Sequence, residues 1–257
     1  LRANLILQII HEIGKIEGTT PLITGGTPRD KLLGRASQIN DFDITTGHNT
    51  QYLAKEVAIK LRKYVPISTK EALDGHSSIY IGKGNNIIKI DFSSNFKIPN
   101  IEKILYRKGI TSPTEMQKEV YSRDFNCNTL LMTLDFKKVK DLTHQAIPDI
   151  KNKIIRTCLT PDLTFKYNTN RIIRAIYLAA KLDFDVSPDI IEWIRANPNY
   201  LLQSEISYNT KNINKALSYD PDKTIYLIDK MNLWNFLPIT DKLAPLYSRR
   251  LVAPYGK

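Results

Sequence analysis

Cysteine is nearly absent from this chain. Cys127 and Cys158 are the only two in 257 residues and form no CxxC pair, which argues against a disulfide scaffold and for a reduced, intracellular setting. Histidine is equally thin: His11, His48, His76 and His144 are scattered without ligand spacing, so a zinc site is not expected. No stretch approaches the roughly 18 consecutive apolar residues of a membrane span. The start, Leu1-Arg2-Ala3-Asn4, shows no signal-peptide pattern. It also lacks Met, which leaves a trimmed leader and an organellar address open beside the expected cytoplasmic one. Internal repeats and low-complexity linkers are missing as well.

Acidic residues are outnumbered. The net charge of +11 favours an anionic partner, of which nucleic acid is the usual one; a plain solubility charge is the alternative. After residue 150 there are 16 Lys and Arg against 10 Asp and Glu, so the excess is spread along the chain and forms no basic tail. A length of 257 residues accommodates one large domain or two small ones.

The first 150 residues mix helical and strand periodicities. Leu5, Ile9, Ile13 and Ile16 are spaced for a helix ending near Gly18. Leu22-Ile23 begins a strand, Arg29 to Leu33 a short helix closed by Gly34, and Phe42 to Thr45 a second strand. Gln51 to Tyr64 predicts a helix with Leu53, Val57 and Leu61 on one face. Ser77 to Ile81 and Ile87 to Phe92 flank Gly82-Lys83-Gly84-Asn85-Asn86 as a hairpin. Leu130 to Leu134 and Val139 to Leu142 make another. Beyond residue 150 strand patterns disappear, and helices are expected over Arg171–Leu182, Asp189–Ala196, Thr210–Leu217 and Lys223–Leu233. The expected fold class is therefore α+β: a head over residues 1–150 with a mixed or antiparallel sheet, followed over 151–257 by an all-helical segment.

Within the head, Asp41 and Asp43 stand one residue apart, shortly after a Gly25-Gly26 turn that leads into Arg29-Asp30. On a strand, residues i and i+2 share a face, so both carboxylates project together. That arrangement is costly unless a cation neutralises it, and a hard divalent ion such as Mg²⁺ takes such ligands. Glycines without Cβ let the backbone approach a phosphate, and Arg29 follows as a bidentate partner. Asp91 closes a later apolar strand; it is either a third carboxylate of the same site or a solvent-facing strand end. A metal site beside an anion cradle is suited to phosphoryl or nucleotidyl transfer.

These residues resemble a known family. Gly25-Gly26-x-x-Arg29-Asp30-x-Leu32-Leu33-Gly34-Arg35 followed by Asp41-x-Asp43 looks like the signature of class II CCA-adding enzymes and bacterial poly(A) polymerases, within the nucleotidyltransferase superfamily. Arg123-Asp124-Phe125-Asn126-Cys127-Asn128 is similar to the family's RDFTxN stretch. Asp141-Leu142, Asp149-Ile150 and Ile155-Arg156 resemble its next block, and Arg171-Ile172-Ile173-Arg174-Ala175 its base-reading helix. The four blocks run in the family's order from about residue 22 to 184.

The resemblance implies roles. Asp41 and Asp43, with Asp91, would hold two Mg²⁺ ions; Gly25, Gly26 and Arg29 would hold the phosphates of ATP, with or without CTP. Arg123 and Asp124 would contact the ribose, and Asn168 and Arg171 the base. Arg174 lies three residues from Arg171, so one can face a ligand while the other anchors the helix. The segment after residue 150 becomes a helical neck that binds RNA. Departures accompany the match. Tyr167-Asn168 stand where the family has adjacent Glu and Asp; Ser122 replaces an Arg, Gln145-Ala146 a glycine pair, and Lys211-Asn212 a Glu-Arg motif. Asn168 both donates and accepts, unlike a carboxylate, and Tyr167 either stacks on a base or packs.

The expected activity is template-independent nucleotide addition to an RNA 3′ end, as tRNA CCA addition or as poly(A) or oligo(A) addition. Rivals are an inactive RNA-binding relative and a transferase acting on a protein or small molecule. Because the chain ends soon after the neck-like helices, either the RNA is held more loosely or a partner, a homo-oligomer or an accessory subunit, supplies the rest of the grip.

Overall fold

Alternating burial organises the first half of the chain. The computed structural model describes residues 3–35, 41–47, 50–71, 76–82, 87–92, 97–238 and 243–245, and its α-carbons form two compact units, Leu1–Ile150 and Lys151–Lys257.

In the first unit the strands are β1 (Leu22–Thr24), β2 (Asp41–Thr45), β3 (Ile67–Glu71), β4 (Ser77–Ile81), β5 (Ile88–Phe92), β6 (Leu131–Thr133) and β7 (Val139–Lys140). They make one mixed sheet in the order β3-β4-β5-β2-β1-β6-β7. Among the described residues of this sheet β2 and β5 run parallel and the other pairs are antiparallel. Phe42 and Ile44 on β2, and Ile90 and Phe92 on β5, turn to one face and are buried. Helices α1 (Ala3–Ile16) and α3 (Thr50–Arg62) cover that face, adding Ile6, Ile10, Leu53, Val57 and Leu61 to the same core. The strand period of two then places Asp41, Asp43, Lys89 and Asp91 on the opposite face.

Between β1 and β2 runs the short α2 (Gly26–Leu32). It begins at the second glycine, three residues earlier than the sequence suggested, because Gly25 takes φ 70° and lets the chain turn straight from strand to helix. Two short helices follow β5: α4 (Ile101–Arg107) and α5 (Glu115–Tyr121). The start of α5 is a capping box in which Thr114 accepts from the Gln117 N–H and the Gln117 side chain accepts from the Thr114 N–H. Helix α6 (Ala146–Lys151) closes the unit. The β4–β5 hairpin is present; its turn at residues 83–86 lies outside the described residues.

The second unit contains α7 (Pro161–Tyr167), α8 (Asn170–Leu182), α9 (Pro188–Ala196), α10 (Ile206–Tyr219) and α11 (Pro221–Lys230). It is helical with one exception. Two-residue strands β8 (Ile154–Ile155) and β9 (Asp185–Val186) pair in parallel, too short for any periodicity to announce them. Helix α8 is the centre of the unit: Ile172, Ile173, Ala175, Ile176 and Ala179 are fully buried, with α10 and α11 packed against it.

Because Phe92 is fully buried beneath the strand that carries Asp91, Phe92→Ala should cost about 3–5 kcal/mol of stability. Urea unfolding checks this; a loss below about 1 kcal/mol would show that the face is not a packed core.

Candidate active site

The register of two strands builds the site. Asp43 of β2 is the α-carbon partner of Asp91 on β5, and Asp41 is the partner of Lys89. On the other side Asp43 pairs with Thr24 of β1, the residue just before Gly25. A Cβ added to Gly25 would lie 2.1 Å from Asp43 Oδ2. No side chain fits there, so the glycine admits the carboxylate to the turn. Thr27 of α2 donates to the backbone oxygen of Asp41 at 3.3 Å and ties the helix to the carboxylate strand.

Asp91 is already engaged. Ser78 Oγ donates to its Oδ1 at 2.5 Å, and Lys89 Nζ forms an ion pair and hydrogen bond with its Oδ2. Burial works against the Lys89 ammonium, yet the hydrogen bond to Asp91 and the charges of Asp91 and Asp41 outweigh it and raise its pKa. Among the described residues no three His, Cys, Asp or Glu side chains converge as a ready-made metal cage. What the strands bring together is therefore an acidic pair, Asp41 and Asp43, beside a third carboxylate held by a lysine. The pair fits a hard divalent cation through its oxygen donors and its shared face.

Arg29 sits differently from the sequence expectation. It is 2% exposed, with Nη1 donating to Asn128 Oδ1 at 2.6 Å and Nε to Asp30 Oδ1 at 2.8 Å. Its fork braces α2 against the Arg123–Asn128 segment rather than projecting into solvent. Asp124 Oδ1 accepts from the Phe125 N–H and from Asn128 Nδ2, so Asn128 joins Arg29 to Asp124. Asn126 of the same segment donates to the buried Asp149 at 2.8 Å.

A parallel chain holds Arg123. Its Nη2 donates to Glu119 Oε1 at 2.8 Å, and Thr45 at the end of β2 donates to Glu119 Oε2 at 2.5 Å. The buried Nε of Arg123 has no hydrogen-bond partner among the described residues. Ser122, in place of the expected Arg, donates to the Lys118 oxygen and accepts from the Ile98 N–H. Glu119, Lys89 and Asn128 were not singled out from sequence. The i, i+4 spacing of Glu119 and Arg123 and the i, i+2 spacing of Lys89 and Asp91 were the available signals.

In the second unit Asn168 Oδ1 accepts from the Asn170 N–H at 3.0 Å and so opens α8. Arg171 is 7% exposed and its guanidinium lies 5.5 Å from the centre of the Tyr167 ring. Burial pushes the Tyr167 phenol up despite the opposing charge of Arg171, so the ring is neutral. Arg174 is partly exposed, one turn further along.

Two carboxylates thus share one strand face, under a glycine turn that a Cβ would obstruct. The chain belongs to the poly A polymerase head domain family, whose model matches residues 22–156, more than half of its length. It is 28% identical over 220 residues to the tRNA nucleotidyltransferase cca1 of Schizosaccharomyces pombe, covering 80% of this chain and 42% of that protein. It is 25% identical over 231 residues to the mitochondrial CCA tRNA nucleotidyltransferase of Saccharomyces cerevisiae, covering 82% and 39%. Its fold is that of the Thermotoga maritima CCA-adding enzyme complexed with tRNA, with TM-score 0.69, 21% identity, and 96% and 58% of the two chains covered. It also matches the Bacillus stearothermophilus CCA-adding enzyme in complex with CTP, with TM-score 0.67, 24% identity, and 90% and 53% covered. The chain spans about two fifths of the length of the two yeast relatives. No helix among the described residues is long and apolar enough to cross a membrane.

Gly25→Ala should lower stability by about 1–3 kcal/mol through backbone strain and displacement of Asp43. Gly18 also has positive φ but nothing within 4 Å, so Gly18→Ala carries the strain alone. Equal losses for the two variants in urea unfolding would remove the argument that Gly25 makes room for the carboxylate.

Proposed function

We propose that this protein adds nucleotides to the 3′ end of RNA without a template, with CCA addition to tRNA as the leading form. The observation that carries the reading is the carboxylate face of β2, with Asp43 against Gly25, in a chain of the poly A polymerase head domain family. The tRNA nucleotidyltransferases among its relatives support the choice of RNA. On this reading the first unit is the catalytic head and the second the RNA-binding neck. Oligo(A) addition is the second form, favoured by Tyr167-Asn168 in place of an acidic pair.

Asp41 and Asp43 would hold Mg²⁺, which supplies neutralisation of the triphosphate and a lowered pKa for the attacking 3′-hydroxyl. Asp91 would join them only after Lys89 is drawn away. Gly25 and Gly26 leave backbone open to phosphate oxygens. Arg29 is a positioning residue: its guanidinium sets Asn128 and through it Asp124, whose carboxylate would accept from a ribose hydroxyl. Arg123, braced by Glu119, would turn its Nε to the nucleotide. Base recognition falls to Arg171 and to the Asn168 amide, whose oxygen caps α8 while its N–H groups have no partner among the described residues.

The test offers a 5′-labelled tRNA lacking its terminal CCA, and an unstructured RNA, to the protein with Mg²⁺ and each nucleoside triphosphate in turn. Products ending in CCA identify the leading form, and runs of A on either RNA the second. Asp41→Asn and Asp43→Asn should each reduce extension by about 100-fold or more. More than a tenth of parental turnover in both would sink the assignment.

Asn168→Asp keeps the oxygen that caps α8 and removes two donors. Leaving a base acceptor unpaired costs about 1–3 kcal/mol, so nucleotide ratios should shift by roughly five- to a hundredfold. Single-nucleotide incorporation with all four triphosphates measures this, and ratios within twofold of the parent would remove Asn168 from base recognition.

A further inference from the structure

Helix α8 is buried along its whole length except for one stripe. Asn170, Arg174, Tyr177 and Lys181 are partly exposed, and every residue between them is buried. Their spacing keeps them on one face of the helix. Helix α10 packs beside α8 and brings two more side chains to that face. The Tyr219 ring centre lies 6.1 Å from that of Tyr177, tilted by 59°. Lys215 Nζ lies 5.8 Å, and Lys181 Nζ 5.9 Å, from the centre of the same Tyr177 ring.

Two rings and two ammonium groups thus meet at the surface, with Tyr219 55% exposed. Packing alone is a poor explanation. Exposed cation–π contacts contribute little, and two like charges drawn to one ring repel each other. Among the described residues no carboxylate forms an ion pair with Lys181 or Lys215. Asp183 is paired with Lys153 at 3.2 Å and Lys223 at 2.7 Å, which hold its pKa below the usual range. Asp220 caps α11 by accepting from the Lys223 N–H at 2.9 Å.

Aromatic faces interleaved with uncompensated cations match single-stranded RNA, whose bases stack on rings while its phosphates take the ammonium groups. We infer that Tyr177, Lys181, Lys215 and Tyr219 form a docking surface for a single-stranded segment of the RNA substrate. This rests on the proposed RNA-extending activity and adds to it a place where the strand is held. An acidic protein is the other partner such charge could attract, but it would leave the rings unused.

Lys215 and Tyr219 are exposed and on the outer side of α10, so changing them leaves the core intact; thermal unfolding checks that. The measurement is anisotropy of a short fluorescein-labelled oligoadenylate titrated with the full chain, its Tyr219→Ser, Tyr219→Phe and Lys215→Glu variants, over a range of salt. Tyr219→Ser and Lys215→Glu should each weaken binding about tenfold, while Tyr219→Phe retains it because stacking needs only the ring. Lys215→Glu should also flatten the salt dependence. Transfer at saturating RNA should stay at the parental rate. Binding within twofold of the parent for Tyr219→Ser and Lys215→Glu would overturn the surface, as would equal losses for Tyr219→Phe and Tyr219→Ser, or tighter binding of polyglutamate than of oligoadenylate. A parent that binds oligoadenylate here yet extends no RNA would instead overturn the proposed function and leave the surface standing.

Discussion

Repulsion between carboxylates shapes the head. Asp43 and Asp91 are register partners on a parallel strand pair of the seven-stranded sheet, and Asp41 shares their face. Like charges so close repel unless cations or donors answer them. The fold answers in three ways visible in the structure. Lys89 and Ser78 take the two oxygens of Asp91. Gly25 removes the Cβ that would push Asp43 aside. The core beneath, through Phe42, Ile44, Ile90 and Phe92, fixes the strands so that the carboxylates have no alternative face to occupy. A one-residue slip would send the acids into the apolar layer, so the hydrophobic core specifies the electrostatics.

Two arginines, one buried and one half-buried, extend the same logic outward. Arg29 and Arg123 are each committed to a carboxylate: Arg29 to Asp30, with Asn128 as its second partner, and Arg123 to Glu119. Ion pairs taken out of water return little net stability, but they hold geometry. Glu119 reaches Thr45 at the end of the carboxylate strand, and Asn128 reaches Asp124. Two separate polar chains therefore register the Arg123–Asn128 segment against β2 and α2. Side chains within such chains have few alternative rotamers, which is how a site with charged members keeps one arrangement.

The local features of this site were legible from sequence, and the long-range ones were not. Asp41-x-Asp43 after a glycine pair declares itself because strand alternation is a nearest-neighbour rule. The partnership of Asp43 with Asp91 depends on strand register, and the Arg29–Asn128 and Thr45–Glu119 bonds join residues 99 and 74 positions apart. Nothing in the spacing of one segment encodes them. Strand β3 escaped because Ile67 is its only apolar residue; it is an edge strand held by backbone pairing to β4. Helices α4 and α5 are too short for a clear periodicity, although Thr114 and Gln117 at capping-box spacing were a usable signal. By contrast α8, long and apolar on most sides, was visible almost to the residue.

The departure at residues 167–168 has a structural reading that composition could not supply. A carboxylate beside Arg171 would take the in-plane N–H groups of the guanidinium and cancel its charge. The Tyr167 ring instead meets Arg171 as a cation–π pair, in which attraction comes from the ring quadrupole and the positive charge remains. Because its phenol stays protonated, the ring adds no competing anion. Stacking on a ring engages the face of the guanidinium and not its donors. The start of α8 thus keeps a positioned cation and, through Asn168, a neutral group with both donors and an acceptor. On the proposed function, such a group would recognise a base by donating to it, where an acidic pair would recognise it by accepting. That polarity follows from two adjacent residues, Tyr167 and Asn168, at the start of one helix.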